Sequence, residues 1–211
     1  MLNTRSITLV PFGKGNFDLL VIPGFSNDAF NATVEAFNKT PFSGFIVKFN
    51  EVSEYAKKHV YIYPAGSKEK VKEETKLYKK LASLIQEKIK QLKKTDSSNS
   101  KMLNIIAKSA GAGVAWYLCQ KLKINILYMQ APGFSDTEKI TKTLKCEKIV
   151  LGWNKDDDKI KFTNAKVAVT FIKSCIKQIK AEKDKSIKFT KKYYLEGKHE
   201  WQSEFIELCD T

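Results

Sequence analysis

The chain has 211 residues, the size of one domain, and its 43% hydrophobic content fills a core, which excludes bulk disorder. The net charge is +14, yet Arg5 is the only arginine; base and phosphate readout favour the arginine fork, so the lysines read as solvated exterior and nucleic acid is not an expected partner. No apolar run approaches the ~20 residues of a membrane span, and the first residues lack a signal-peptide pattern, so a soluble cytoplasmic protein is expected.

In chain order, Phe17 to Ile22 is a nearly continuous apolar run stopped by Pro23-Gly24, the pattern of a strand buried on both faces. Ser26 or Asn27 can cap the next helix, which carries Phe30, Val34 and Phe37 on one face. Phe45 to Phe49 reads as a short strand or an irregular segment. His59 to Tyr63 reads as a second strand, stopped by Pro64. A long amphipathic helix is predicted over about Lys68 to Lys94, with Leu77, Tyr78, Leu81, Leu84, Ile85, Ile89 and Leu92 as its sheet-facing stripe. Thr95 to Ser100 is a polar loop.

Leu103 to Ala107 is the third clear strand, and Ala110-Gly111-Ala112-Gly113 opens a helix of small residues. Strands follow at Ile124 to Met129 and Lys148 to Gly152, then a helix from Asn164 to about Glu182. Ile187 to Tyr194 is a last strand and Gln202 to Leu208 a final helix. This alternation, without repeats or linkers, predicts a single α/β domain over 1–211 with a mostly parallel sheet and helices on both faces. Cys119, Cys146, Cys175 and Cys209 form no C-x-x-C pair, and no His lies at metal-ligand spacing. They read as reduced thiols, with no metal expected.

In parallel sheets ligands bind beyond the carboxyl ends of the strands. After the third strand stands Ala107-Lys108-Ser109-Ala110-Gly111. A serine flanked by tiny residues suits a sharp strand-to-helix turn that lifts its hydroxyl above the sheet and aims a helix N-terminus at the reacting centre. These five residues alone also allow ordinary helix N-capping by Ser109. Lys108 beside it either attracts an anionic substrate or points to solvent. Gly111-Ala112-Gly113 does not fit a dinucleotide fingerprint, whose third position is Trp116 here.

The segment resembles the G-x-S-x-G elbow of α/β-hydrolases, with Ala107 at the first glycine. The resemblance extends from about Phe17 to Leu208. It implies an oxyanion hole from the backbone N–H groups of Ala110 and Phe25, although Pro23 stands where that family commonly has His. A serine nucleophile needs a base. Of two histidines, His59 is expected at the amino end of a strand, away from the site. His199 follows the last strand and sits in the polar turn after Gly197, like the family's histidine loop. The orienting carboxylate falls after the fifth strand: counting back from Ile160 favours Asp157, counting forward from Gly152 favours Asp156. The order Ser109, Asp157, His199 is the family's order.

From Gly133 to Glu147 there are only 15 residues, too few for a cap domain. A shallow, open pocket is expected, with Phe25, Phe134 and Trp153 as candidate walls. The resemblance implies a serine hydrolase of carboxylic esters or thioesters, acting on a small-molecule acyl substrate with no cofactor. The competing expectation is a protein of the same fold that has lost catalysis and serves as a binding or scaffold module.

Overall fold

The computed structural model describes residues 2–14, 18–95, 103–133, 144–183, 187–194 and 196–207. Strand β1 (Ile7–Phe12) runs antiparallel to β3 (Gly44–Phe49). Strands β2 (Leu19–Ile22), β4 (Leu103–Lys108), β5 (Ile124–Gln130), β6 (Cys146–Asn154) and β7 (Lys188–Tyr194) are parallel, and the sheet order is β1-β3-β2-β4-β5-β6-β7. From β2 the chain steps outward to β3, then jumps back across β2 to begin β4. The strand order therefore reverses between β2 and β4. A crevice opens at such a reversal, outside the carboxyl ends of the two strands.

The pleat sorts side chains onto two faces. Leu20, Ile22, Ile105, Ala107, Leu127, Met129 and Leu151 point to one side. Helices α2 (Val52–His59), α3 (Lys68–Thr95), α4 (Ala110–Cys119) and α5 (Thr163–Lys183) cover that side. Leu19, Val21, Ile106, Tyr128 and Val150 point to the other, where α1 (Asn27–Asn38) brings Phe37 and α6 (Ser203–Glu207) brings Phe205. Each fully buried large side chain of this kind contributes about 1.5–3 kcal/mol.

Helix α4 is buried on every side from Gly111 to Cys119, because α3 lies over it. The Tyr78 ring of α3 occupies the space where a Gly113 side chain would be. The α3 stripe faces inward as predicted, except that Leu92 is partly exposed. Ser26 caps α1, its hydroxyl accepting from the Ala29 N–H at 3.1 Å.

Two elements differ from expectation. Residues 59–63 are not a strand: His59 ends α2, its ring stacked on Tyr55, and Tyr61 and Ile62 are exposed turn residues. The place beside β3 is taken, since β3 is already bonded to β2 on one side and β1 on the other. Strand β1, unanticipated, contains Pro11, which an edge strand tolerates. Phe45 to Phe49 is a strand. Phe17, the 96–100 loop, Phe134, Leu208 and Cys209 lie outside the described residues. Among the described residues no helix is long and apolar enough to cross a membrane.

Candidate active site

Strand β4 ends at Lys108 and α4 starts at Ala110, so Ser109 alone makes the turn. Its backbone sits at φ 55°, ψ −131°, a region that side chains rarely occupy. Simple N-capping does not describe it, because its side chain makes no capping hydrogen bond. Backbone contacts hold the strain instead. The Ser109 N–H donates to Gln130 O at 3.1 Å, and its carbonyl accepts from Ala112 N–H at 3.0 Å and Gly133 N–H at 2.9 Å. The Tyr78 hydroxyl fixes Gly133 in turn, donating to its carbonyl at 2.8 Å. Close packing supplies the rest: a Cβ on Gly111 would collide with the carbonyl oxygens of Ile22 and Pro23.

The histidine arrives differently. His199 lies in irregular chain after β7, where Gly197 takes φ +95° to make the turn. Two buried amides clamp this loop. Gln130, ending β5, donates its side-chain N–H to Glu200 O at 2.6 Å and accepts from Gln202 N–H at 3.3 Å. Asn154, ending β6, donates to Lys198 O at 2.5 Å. The Trp201 indole N–H donates to Thr33 Oγ1 of α1 at 2.8 Å, and its ring packs edge-on against Phe37.

His199 Nδ1–H donates to Asp157 Oδ2 at 2.8 Å. Asp157 is buried, and its other oxygen accepts the N–H groups of Lys159 at 3.0 Å and Ile160 at 2.7 Å. This fixes the ring tautomer and leaves Nε2 with a lone pair. Of the two candidate acids, the bond therefore goes to Asp157; Asp156 is exposed one residue earlier in the turn.

Ser109, Ala110, Phe25 and His199 line one cleft of about 770 Å³ together with Lys108, Thr33 and Trp201. No hydrogen bond joins Ser109 Oγ to His199 among the described residues; such catalytic contacts commonly tighten only with substrate bound. The Phe25 and Ala110 amides donate to no protein acceptor among the described residues. Phe25 borders the cleft while its ring packs edge-on against Phe49 and Tyr78. Trp153 is not a wall. It is fully buried, with its indole N–H donating to Ile160 O at 2.9 Å. Lys108 does not point to bulk solvent: it is 7% exposed, and its ammonium lies 5.3 Å from the Trp201 ring centre.

Buried polar groups mark the site. Among the described residues they are Thr33, Lys108, Gln130, Asn154 and Asp157. Three of them end the consecutive parallel strands β4, β5 and β6. Sequence reasoning missed Gln130 and Asn154. The available signal was a polar residue closing an otherwise apolar strand at its carboxyl end.

No family model matches the sequence, and no curated protein matches it. Solved structures do. Esterase PE8 superposes with a TM-score of 0.60 at 10% identity, over 97% of this chain and 95% of that one. The Bacillus cereus carboxylesterase gives 0.56 at 11%, over 96% and 91%. The α/β hydrolase MGS-MChE2, from a metagenome of Mar Chica lagoon sediments in Morocco, gives 0.55 at 11%, over 97% and 93%. At such identities the likeness speaks for architecture, and it covers nearly all of the chain. This chain has the α/β-hydrolase fold.

Proposed function

We propose that the chain is a serine hydrolase of carboxylic esters or thioesters. One observation carries the reading: Ser109, strained at the strand–helix turn, shares a cleft with a histidine whose far nitrogen is bonded to a buried carboxylate. Ser109 Oγ adds to the carbonyl carbon while His199 Nε2 takes its proton. The carbonyl oxygen becomes an oxyanion, which the Phe25 and Ala110 amides receive. A donor of this kind is worth about 3–4 kcal/mol in the transition state. The C–O or C–S bond then breaks, and His199 returns the proton to the leaving alcohol or thiol. Water, deprotonated by the same histidine, attacks the acyl-enzyme and releases the acid. Asp157 holds the ring and stabilises its cation. Names of the superposed esterases support the class without fixing the substrate.

The second reading, a binding protein of this fold without catalysis, is favoured by the missing Ser109–His199 hydrogen bond. Labelling by a fluorophosphonate probe separates the two. Wild type is expected to label, and Ser109→Ala and His199→Ala are not. A folded wild type that stays unlabelled overturns the hydrolase reading.

A further inference from the structure

The cleft contains a cation that the triad does not use. Lys108 closes β4, in register with Gln130. Ala107 faces the α3–α4 side, so the pleat sends Lys108 to the α1–α6 side, against Trp201. The residue is more than nine-tenths buried. Among the described residues its ammonium makes no hydrogen bond and has no carboxylate within 4.0 Å. The other two lysines bordering the cleft are engaged: Lys39 with Glu35 at 2.9 Å and Lys159 with Asp158 at 3.9 Å. Lys108 Nζ is not one of the sealed, unpaired polar atoms, so its donors open onto the cleft, where a bound ligand can supply the acceptor. Burial draws the pKa of Lys108 down to about 8 while Asp157 and Glu200 oppose the shift, so at neutral pH the cation is mostly retained.

We propose that Lys108 receives a carboxylate carried by the substrate, so that the site prefers half-esters of short dicarboxylic acids; this rests on the hydrolase reading above. Position sets the length. Lys108 and Ser109 are chain neighbours that line the same cleft, an arrangement that suits a carboxylate carried a few carbons from the scissile carbonyl. Charge sets the valence. A single ammonium matches a monoanion, and Glu200 on the cleft wall disfavours a second negative charge such as a phosphate dianion carries. The Trp201 ring, tied to Thr33, forms the flat side against which the carbon chain lies. The products are the alcohol and the free dicarboxylic acid.

Two measurements test this independently of each other. In wild type, kcat/KM for 4-methylumbelliferyl hemiglutarate is expected to exceed that for the neutral butyrate ester by about tenfold, and Lys108→Met to erase that ratio. In the non-hydrolysing Ser109→Ala protein, calorimetry is expected to show monomethyl glutarate binding about tenfold tighter than methyl butyrate, the difference vanishing when Lys108→Met is added. Equal handling of the charged and neutral ligands by proteins with Lys108 intact overturns the proposal, a result that needs no Lys108 variant to fold. Labelled, ester-cleaving protein without that preference removes the carboxylate site and leaves the hydrolase. Selective binding in Ser109→Ala, together with unlabelled wild type, does the reverse.

Discussion

The two side chains proposed to react are held by opposite means. Ser109 is fixed by main chain: a left-handed backbone, three backbone hydrogen bonds and a helix start too crowded for a Cβ at Gly111. His199 is fixed by side chains: Gln130 and Asn154 grip the peptide groups around it, and Asp157 grips the ring. The elbow comes from the regular part of the fold and stores strain there. The histidine loop has no regular structure, so its position depends on strand-end amides reaching across from β5 and β6. Changes at the elbow should therefore register as stability, and changes at the loop as turnover.

The largest expected effect tests the loop. Asp157→Asn keeps the shape but reverses the donor–acceptor sense at Nδ1, so kcat on a small ester should fall about ten-thousandfold while urea unfolding moves little. Gly111→Ala tests the elbow: the new methyl meets fixed backbone oxygens, and unfolding free energy should drop by about 3 kcal/mol. Of similar size and opposite sign is Lys108→Met, which removes a buried cation and should stabilise the protein by about 3 kcal/mol at pH 7. Below pH 8 Lys108 is charged in both folded and unfolded states, and wild type carries the full penalty. Between about 8 and 10.5 the folded side chain is neutral while the unfolded one keeps its proton. Wild type gains stability as pH rises through that window, and the gap in melting temperature should close.

Gln130→Leu leaves Glu200 O and Gln202 N–H without their partner. It should lower kcat about thirtyfold, a loss of roughly 2 kcal/mol, with a smaller change in unfolding. The smallest effect is Ser109→Gly. It relieves the positive φ and should raise stability by about 1 kcal/mol while abolishing labelling. If Gln130→Leu proves as destabilising as Gly111→Ala, the contrast between the two modes of support fails.

The asymmetry also explains what could be read from the sequence. An elbow needs small residues at fixed offsets, and Ala107, Gly111 and Gly113 announce it locally. A loop clamp needs residues from distant strands, and Gln130 and Asn154 carry no spacing to His199 that a sequence displays. The acid was ambiguous because both aspartates share one turn; which is buried depends on the direction the chain leaves Asn154. Residues 59–63 have the β-branched and aromatic residues of a strand, but sheet pairing is decided by available edges. The order of the other strands and helices was legible because apolar periodicity is strong there.

Among the described residues the sheet ends at β1 on one side and at β7 on the other. On one side β1 turns outward with Pro11, which has no N–H to offer a foreign strand. On the other, β7 is edged by exposed Lys188, Lys191 and Lys192. Both margins repel addition of another chain, one by a missing donor and the other by like charge. Part of the lysine excess thus acts as protection against aggregation, and that protection weakens as salt screens the charges.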